Sequence, residues 1–418
     1  MEVNRRNFLK GTAAGAAGTA LAGGVLIGGA HADANAAALA STGQGSGAPA
    51  EEASYPFHGK NQSGILTPGP SGKQAFTCVA AFDSMAADKA ALADVLQTVT
   101  TRARFLTAGG TPPNLGISQP PSDSDVLGPV VPADGLTMTV SVGSTLFDDR
   151  YGISAAKPLK LKPMTTFPND SPEPAWLHGD LLVQFSANHP DTIHHAIRDL
   201  TKHTRGGMQL RWKMEGYSSP PRPSGTGRNL LGFKDGTANP TGSLASQLIW
   251  VDDQQEPAWA LGGSYQVVRL IRMLVEFWDR VDVREQEQMI GRRKADGAPL
   301  TGGGERTAPD YDNDPTGEAV LFSAHIRNAN PRDARTADSR ILRRSYNYDN
   351  GTDLNGELQQ GLVFVNFNQD LERQFKAVQA RLIEEPLVDY VSPFGGGYFF
   401  ALPGVSSADG WIGNTLLA

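Results

Sequence analysis

The chain has 418 residues, 39% hydrophobic and 19% charged, with a net charge of −7. This is a globular composition long enough for two domains, and no Lys/Arg-rich stripe marks nucleic acid as the main partner. The single cysteine, Cys78, excludes intrachain disulfides, cysteine-ligated zinc and thioether attachment of a haem.

At the N-terminus, Arg5-Arg6 precede Phe8-Leu9-Lys10, a Gly/Ala-rich run follows to Gly29, and Ala30-His31-Ala32 supplies a small-residue cleavage pattern. Residues 1–32 therefore resemble a twin-arginine export signal. So many glycines and alanines argue against a lasting membrane helix, and no transmembrane anchor is expected in the mature form. Such export carries proteins already folded, often with a cofactor loaded. Residues 33–72 are rich in Ala, Ser, Gly and Pro and read as a linker, although Tyr55 to Pro68 has enough apolar content to lie on a folded body.

A compact unit begins near residue 73. Ala75 to Met85 reads as a strand, Lys89 to Leu106 as a helix, and Leu136 to Phe147 as an alternating strand. Gly179 to Leu200 is a strand followed by an amphipathic helix. Gly361 to Leu382 repeats it, with Gly179, Val183 and Phe185 matching Gly361, Val365 and Phe367 at one constant offset. Ser264 to Arg280, followed by a helix from Val283 to Ile290, echoes the opening at Ala75. The fold class is therefore α+β, two ferredoxin-like halves with antiparallel sheets and helices packed outside. The halves are placed at 73–218 and 219–418. Met214 to Leu230 reads as their connection, and Arg293 to Glu318 as a long loop of the kind that often carries function.

Several chemistries are excluded by spacing. There is no H-E-x-x-H, no P-loop, no G-x-G-x-x-G after a strand and no G-x-S-x-G elbow. His194 and His195 are adjacent on a helix and cannot share one metal. In A-V-L-F-S-A-H-I-R, Val320, Phe322, Ala324 and Ile326 read as one apolar face of a strand, with Ser323, His325 and Arg327 on the other. Asp235 sits in L-L-G-F-K-D-G-T-A-N-P, which by itself is ordinary turn chemistry. Arg343-Arg344 in R-I-L-R-R-S-Y is by itself a charge run.

Taken in order, G-F-K-D-G-T-A-N-P, H-I-R-N-A-N-P-R and L-R-R-S-Y resemble the dye-decolourising haem peroxidase family. The flanks H-G-K-N-Q-S-G-I-L-T-P, F-P-N-D-S and F-G-G-G-Y-F-F-A-L-P-G-V extend the resemblance over nearly the whole mature chain. They point to its exported branch, whose members serve bacterial ferrous-iron uptake as deferrochelatases and peroxidases.

The resemblance implies one non-covalent haem b per chain, held in the second half with His325 as proximal ligand to the iron. It makes Asp235 the proton shuttle and Arg343 the cation that stabilises departing negative charge. Gly236, Thr237 and Ala238 would let the backbone pass close to the porphyrin, and Asn330, Pro331 and Arg332 would follow the ligand, Arg332 pairing with a propionate. A peroxidase ligand needs a carboxylate or carbonyl on its other ring nitrogen, and Asp389 is the residue chosen for that task. Ser345 departs from the asparagine that many relatives outside the iron-uptake branch carry two residues after the distal arginine.

The implied reaction is oxidation of organic donors by hydrogen peroxide, together with release of iron from haem with the porphyrin intact. An aspartate base, with a reference pKa near 3.9, predicts activity peaking below neutrality. The implied location is the periplasm or extracytoplasmic envelope. A homodimer and contacts with iron-uptake components are expected, and Trp259, Trp278 and Tyr346 are available to relay electrons. The competing reading is a non-catalytic haem-binding or iron-delivery protein, which has no need of an acid–base and cation pair.

Overall fold

The computed structural model of the chain describes residues 53–253 and 255–418. The export signal at 1–32 and the first part of the segment at 33–72 lie outside the described residues.

The first half runs β1 (Phe76–Ser84), α1 (Lys89–Ala108), β2 (Thr137–Gly143), β3 (Leu181–Ala187), α2 (Pro190–His203) and β4 (Met208–Tyr217). Helix α1 starts where Asp88 accepts the amide of Ala91 at 2.9 Å. It buries Leu92, Val95, Leu96, Val99, Ala103 and Leu106, the spacing of one helical face. Helix α2 begins with Pro190 and buries Ile193, Ala196, Ile197 and Leu200 in the same core.

The second half begins with α3 (Gly242–Ile249), β5 (Ser264–Met273), α4 (Val275–Trp278), α5 (Val283–Ile290) and α6 (His325–Ala329). It continues through β6 (Leu342–Arg343), β7 (Tyr346–Thr352), β8 (Leu358–Asn368), a π turn at Glu372–Lys376 running into α7 (Ala377–Arg381), and β9 (Val391–Ala401).

The strand order is β5-β9-β2-β3-β1-β4-β7-β8, and β5 also pairs with β8, so the antiparallel sheet closes on itself. Short β6 flanks β8 beside the ring, Leu342 opposite Phe367 and Arg343 opposite Asn366. Within the ring, β2-β3-β1-β4 and β7-β8-β5-β9 have the same order when traced from their own first strands, as duplication requires. The predicted echo falls on the equivalent strands β3 and β8, but its residue match is out of register: Val183 and Phe185 face the core under α1 and α2, whereas Val365 and Phe367 face the barrel interior. Inside the barrel Val79, Ala81, Leu182, Val365, Phe367 and Phe399 pack together, while helices α1 and α2 cover the outside of the first half.

Two expectations need correction. Strand β4 continues to Tyr217, so the connection between halves starts at Ser218 and not at Met214. His325 does not sit on a strand: it opens helix α6. Val320 and Ala324, four apart, are both fully buried, whereas Phe322 between them is 60% exposed. The true period is close to four, and the apparent alternation was produced by an exposed phenylalanine.

Candidate active site

The second half holds a cavity of about 270 Å³ whose walls come largely from the loop at 229–238, helix α6, β6, the outer face of β5 and β8, and the turn before β9. Ile271, Met273, Leu362, Phe364, Leu387 and Val391 make its walls largely apolar. Asp235 and Arg343 line it together with His325, although these three lie far apart in sequence.

The loop that carries Asp235 is held tightly. Asn229 Oδ1 accepts the amides of Leu231 and Phe233, both at 3.1 Å. Lys234 donates to the carbonyls of Ser224 and Thr226 and so ties the loop back onto its own start. Gly236 has φ +83° with open space where a Cβ would stand, so the backbone conformation itself calls for glycine here. Its amide donates to Asp235 Oδ1 at 2.7 Å, and Arg343 Nη1 reaches the same oxygen at 3.0 Å. Burial pushes the Asp235 carboxyl upward, but Arg343, Lys73 and the Gly236 amide outweigh it and hold it below the usual carboxylate value.

Arg343 is aimed by its backbone. Asn239 Nδ2 donates to the Arg343 carbonyl and Asn239 Oδ1 accepts the Arg343 amide, both at 2.9 Å. Asn239 was read only as part of the motif; its task is to lock the strand that presents the guanidinium. Ser345 does not line the cavity, and its buried Oγ has no hydrogen-bond partner among the described residues. The distal face is therefore built without an amide side chain at that position.

On the opposite wall, His325 Nδ1 lies 3.0 and 2.9 Å from the two oxygens of Glu385. This corrects the expectation of Asp389, which is exposed on the outer side of the 3₁₀ turn Pro386–Tyr390. Glu385 is the residue just before that turn and only 5% exposed, so its carboxylate points inward. Burial lowers the imidazole pKa, but the Glu385 carboxylate more than offsets this and leaves it raised. With Nδ1 bonded to Glu385, Nε2 is the ring nitrogen left for the cavity.

Helix α6 is itself anchored. Arg327 pairs with Asp314 at 2.9 Å and donates to the Val320 carbonyl at 2.7 Å, and Asp314 accepts the amides of Ala319 and Val320. A side chain at Gly291, whose φ is +91°, would come within 2.7 Å of Ile326, so glycine lets α5 end directly against this helix.

The remaining predicted residues divide. Thr237, Ala238, Asn330 and Arg332 line the cavity, whereas Gly236 and Pro331 do not. Arg332 stands at the rim with Arg292 and Arg340, which sequence reasoning missed. Burial, with Arg332 adding repulsion, depresses the pKa of both Arg292 and Arg340. None of the three has a carboxylate within ion-pair distance among the described residues. A cationic rim without counter-charge favours an anionic ligand. The adjacent Arg-Arg of residues 292–293 was visible in sequence, but nothing there said which one turned inward.

Residues 62–218 and 226–406 match the N-terminal and C-terminal models of Dyp-type peroxidases, and residues 2–22 match a twin-arginine translocation signal sequence. The chain is 47% identical to a deferrochelatase of Escherichia coli O157:H7, over 100% of this chain and 97% of that protein. Among solved structures, a DyP-type peroxidase from Cellulomonas bogoriensis is 33% identical with a TM-score of 0.78, covering 88% of this chain and 98% of that one. Ferric DtpA from Streptomyces lividans is 32% identical with the same TM-score, covering 88% and 97%. With these matches across both halves, the chain belongs to the Dyp-type peroxidase family.

Proposed function

We propose that Asp235, Arg343 and His325 divide the work of an exported, haem-dependent peroxidase that also acts as a deferrochelatase. Family membership and the 47% identity to a deferrochelatase support the activity, and the twin-arginine signal supports export to the periplasm or envelope. Among the described residues no helix is long and apolar enough to cross a membrane. We take residues 1–32 as the signal, 73–218 as the first half and 219–418 as the half that carries the cofactor.

We take the cofactor to be one non-covalent haem b, and the cavity lining supports this. Its walls are apolar, one imidazole nitrogen is left for a metal, and a carboxylate-free cluster of Arg292, Arg332 and Arg340 suits two propionates. Bound haem supplies the redox centre at which peroxide is reduced and donors are oxidised. His325 would hold the iron through Nε2, and Glu385, accepting from Nδ1, fixes the tautomer and makes the ligand more electron-rich. Asp235 takes a proton from one peroxide oxygen and returns it to the other as the O–O bond breaks. Arg343 stabilises the negative charge on the departing oxygen.

The observation that carries this reading is the convergence of Asp235 and Arg343, 3.0 Å apart, on one cavity with a carboxylate-bonded histidine. A carrier has no use for the distal pair. The test is an absorption spectrum of the purified protein before and after one equivalent of peroxide. A Soret band that bleaches and returns with an organic donor is expected; an unchanged band would overturn the peroxidase reading. Incubation with haem and a reductant should separately give protoporphyrin fluorescence, and its absence would remove the deferrochelatase activity alone.

The role of Glu385 has its own test. Glu385→Gln should keep haem bound, raise the reduction potential of its iron and lower peroxide turnover roughly 10–100-fold. Asp389→Asn should change neither. The reverse pattern would restore Asp389 as the partner.

A further inference from the structure

The wall behind Arg343 continues into a buried polar cluster that the chemistry above does not use. Arg344, fully buried, donates through Nη1 to the carbonyls of Ile65 at 3.3 Å and Pro68 at 2.6 Å. Through Nη2 it reaches Gln74 Oε1 at 3.2 Å. The segment from Ile65 to Lys73 is thereby strapped across the strands that present Arg343. At its end Lys73 donates to the Ser345 carbonyl and sets its Nζ 3.9 Å from the centre of the Tyr346 ring.

The charged and titratable groups that face this amine are Asp235 from the distal loop, Arg343 from β6, Arg344 just beyond it and Tyr346 from β7. Two guanidiniums thus flank this amine, and Asp235 is the one carboxylate among the groups acting on it.

We propose that Lys73 is a positioning residue of the distal site, whose ammonium braces the Arg343–Tyr346 segment and so holds Arg343 in place against Asp235. The proposal rests on the distal roles given above. An ammonium over an aromatic face is attracted by it, and the Ser345 carbonyl accepts one of its protons. Burial, and then Arg344 and Arg343, oppose the charge, while Asp235 favours it. The balance leaves the Lys73 pKa lowered to about 7.

The sign follows directly. Below pH 7 the amine is charged and holds both the Ser345 carbonyl and the face of the Tyr346 ring. Above pH 7 it loses its proton, that hold weakens, and Arg343 is less firmly placed. Lys73 would then set the alkaline limb of activity, a limb that Asp235, ionised throughout that range, cannot produce.

The experiment uses the haem-loaded mature protein with Lys73→Arg and Lys73→Met, measuring kcat/KM for peroxide across pH 4–9. The arginine variant, permanently charged, should move the alkaline limb upward, giving at pH 8 roughly tenfold more of its acid-pH activity than wild type retains. The methionine variant should lose the limb and run roughly tenfold below wild type at pH 5. Because burial works against the charge, it should melt no lower than wild type, which separates a lost function from a lost fold.

A second readout does not depend on turnover. The Lys73 side-chain nitrogen, followed by NMR in haem-free protein, should titrate near pH 7 and at lower pH in Asp235→Asn. Coincident limbs in wild type and Lys73→Arg, or a Lys73 midpoint above pH 9, would overturn the inference. Full turnover in Asp235→Asn would instead remove the distal reading on which it rests.

Discussion

Replacing His325 with alanine should yield a folded protein that purifies without a Soret band and does not consume peroxide. The expected loss of turnover is complete within detection, because no other imidazole lines the cavity. The fold should survive, since the His325 side chain is 29% exposed toward the cavity and opens a five-residue helix tied down by Arg327, not by itself. Haem titration followed by absorbance, and melting followed by circular dichroism, check the two halves of this statement. Wild-type haem affinity in the alanine variant would show that another group holds the iron.

The second large effect is expected at Asp235. Asparagine there keeps the shape and the hydrogen bond from Gly236 but cannot take a proton, so kcat/KM for peroxide should fall about 10²–10⁴-fold with haem still bound. The wild-type pH profile follows from the depressed carboxyl. Because its folded pKa lies below the usual carboxylate value, Asp235 is ionised across the whole weakly acidic range, and activity should persist there and peak below neutrality. A profile that rises steadily from pH 5 to 8 would count against Asp235 as the base. The same shift stabilises the fold above the unfolded carboxylate pKa, and that contribution disappears as pH falls through the folded value. The contribution is small, because both Asp235 and Arg343 are about a quarter exposed and water screens the pair.

Much of this was legible in the sequence, and the failures have physical causes. The duplication could be read because each half repeats a strand followed by a helix, but the pairs Val183/Val365 and Phe185/Phe367 face opposite sides of the sheet: β3 and the C-terminal part of β8 are buried on both faces, so no alternation marks which residues correspond. Asp235, His325 and Arg343 could be named because three spaced motifs carried them. The partner of His325 could not. Glu384, Glu385 and Asp389 lie close together in the sequence, and which acid turns inward depends on the backbone path into Pro386–Tyr390. The strand assigned to His325 failed because four residues with period two are too few to outweigh a turn held by Asp314 just upstream. Arg292, Arg340 and Asn239 escaped notice because each acts through a contact with another segment, and a motif shows only neighbours in sequence.

Arg343 and Arg344 are consecutive on an extended chain and therefore face opposite ways, one into the cavity and one into the strap. The stretch ahead of β1 is thus a structural prop for the distal wall and not a dispensable leader to the first strand. A shortened chain beginning at Phe76 would strip Arg344 of its acceptors at Ile65, Pro68 and Gln74 and leave a buried guanidinium largely unbonded in the barrel wall. Trimming at that edge should disorder the distal wall before it disturbs the rest of the fold.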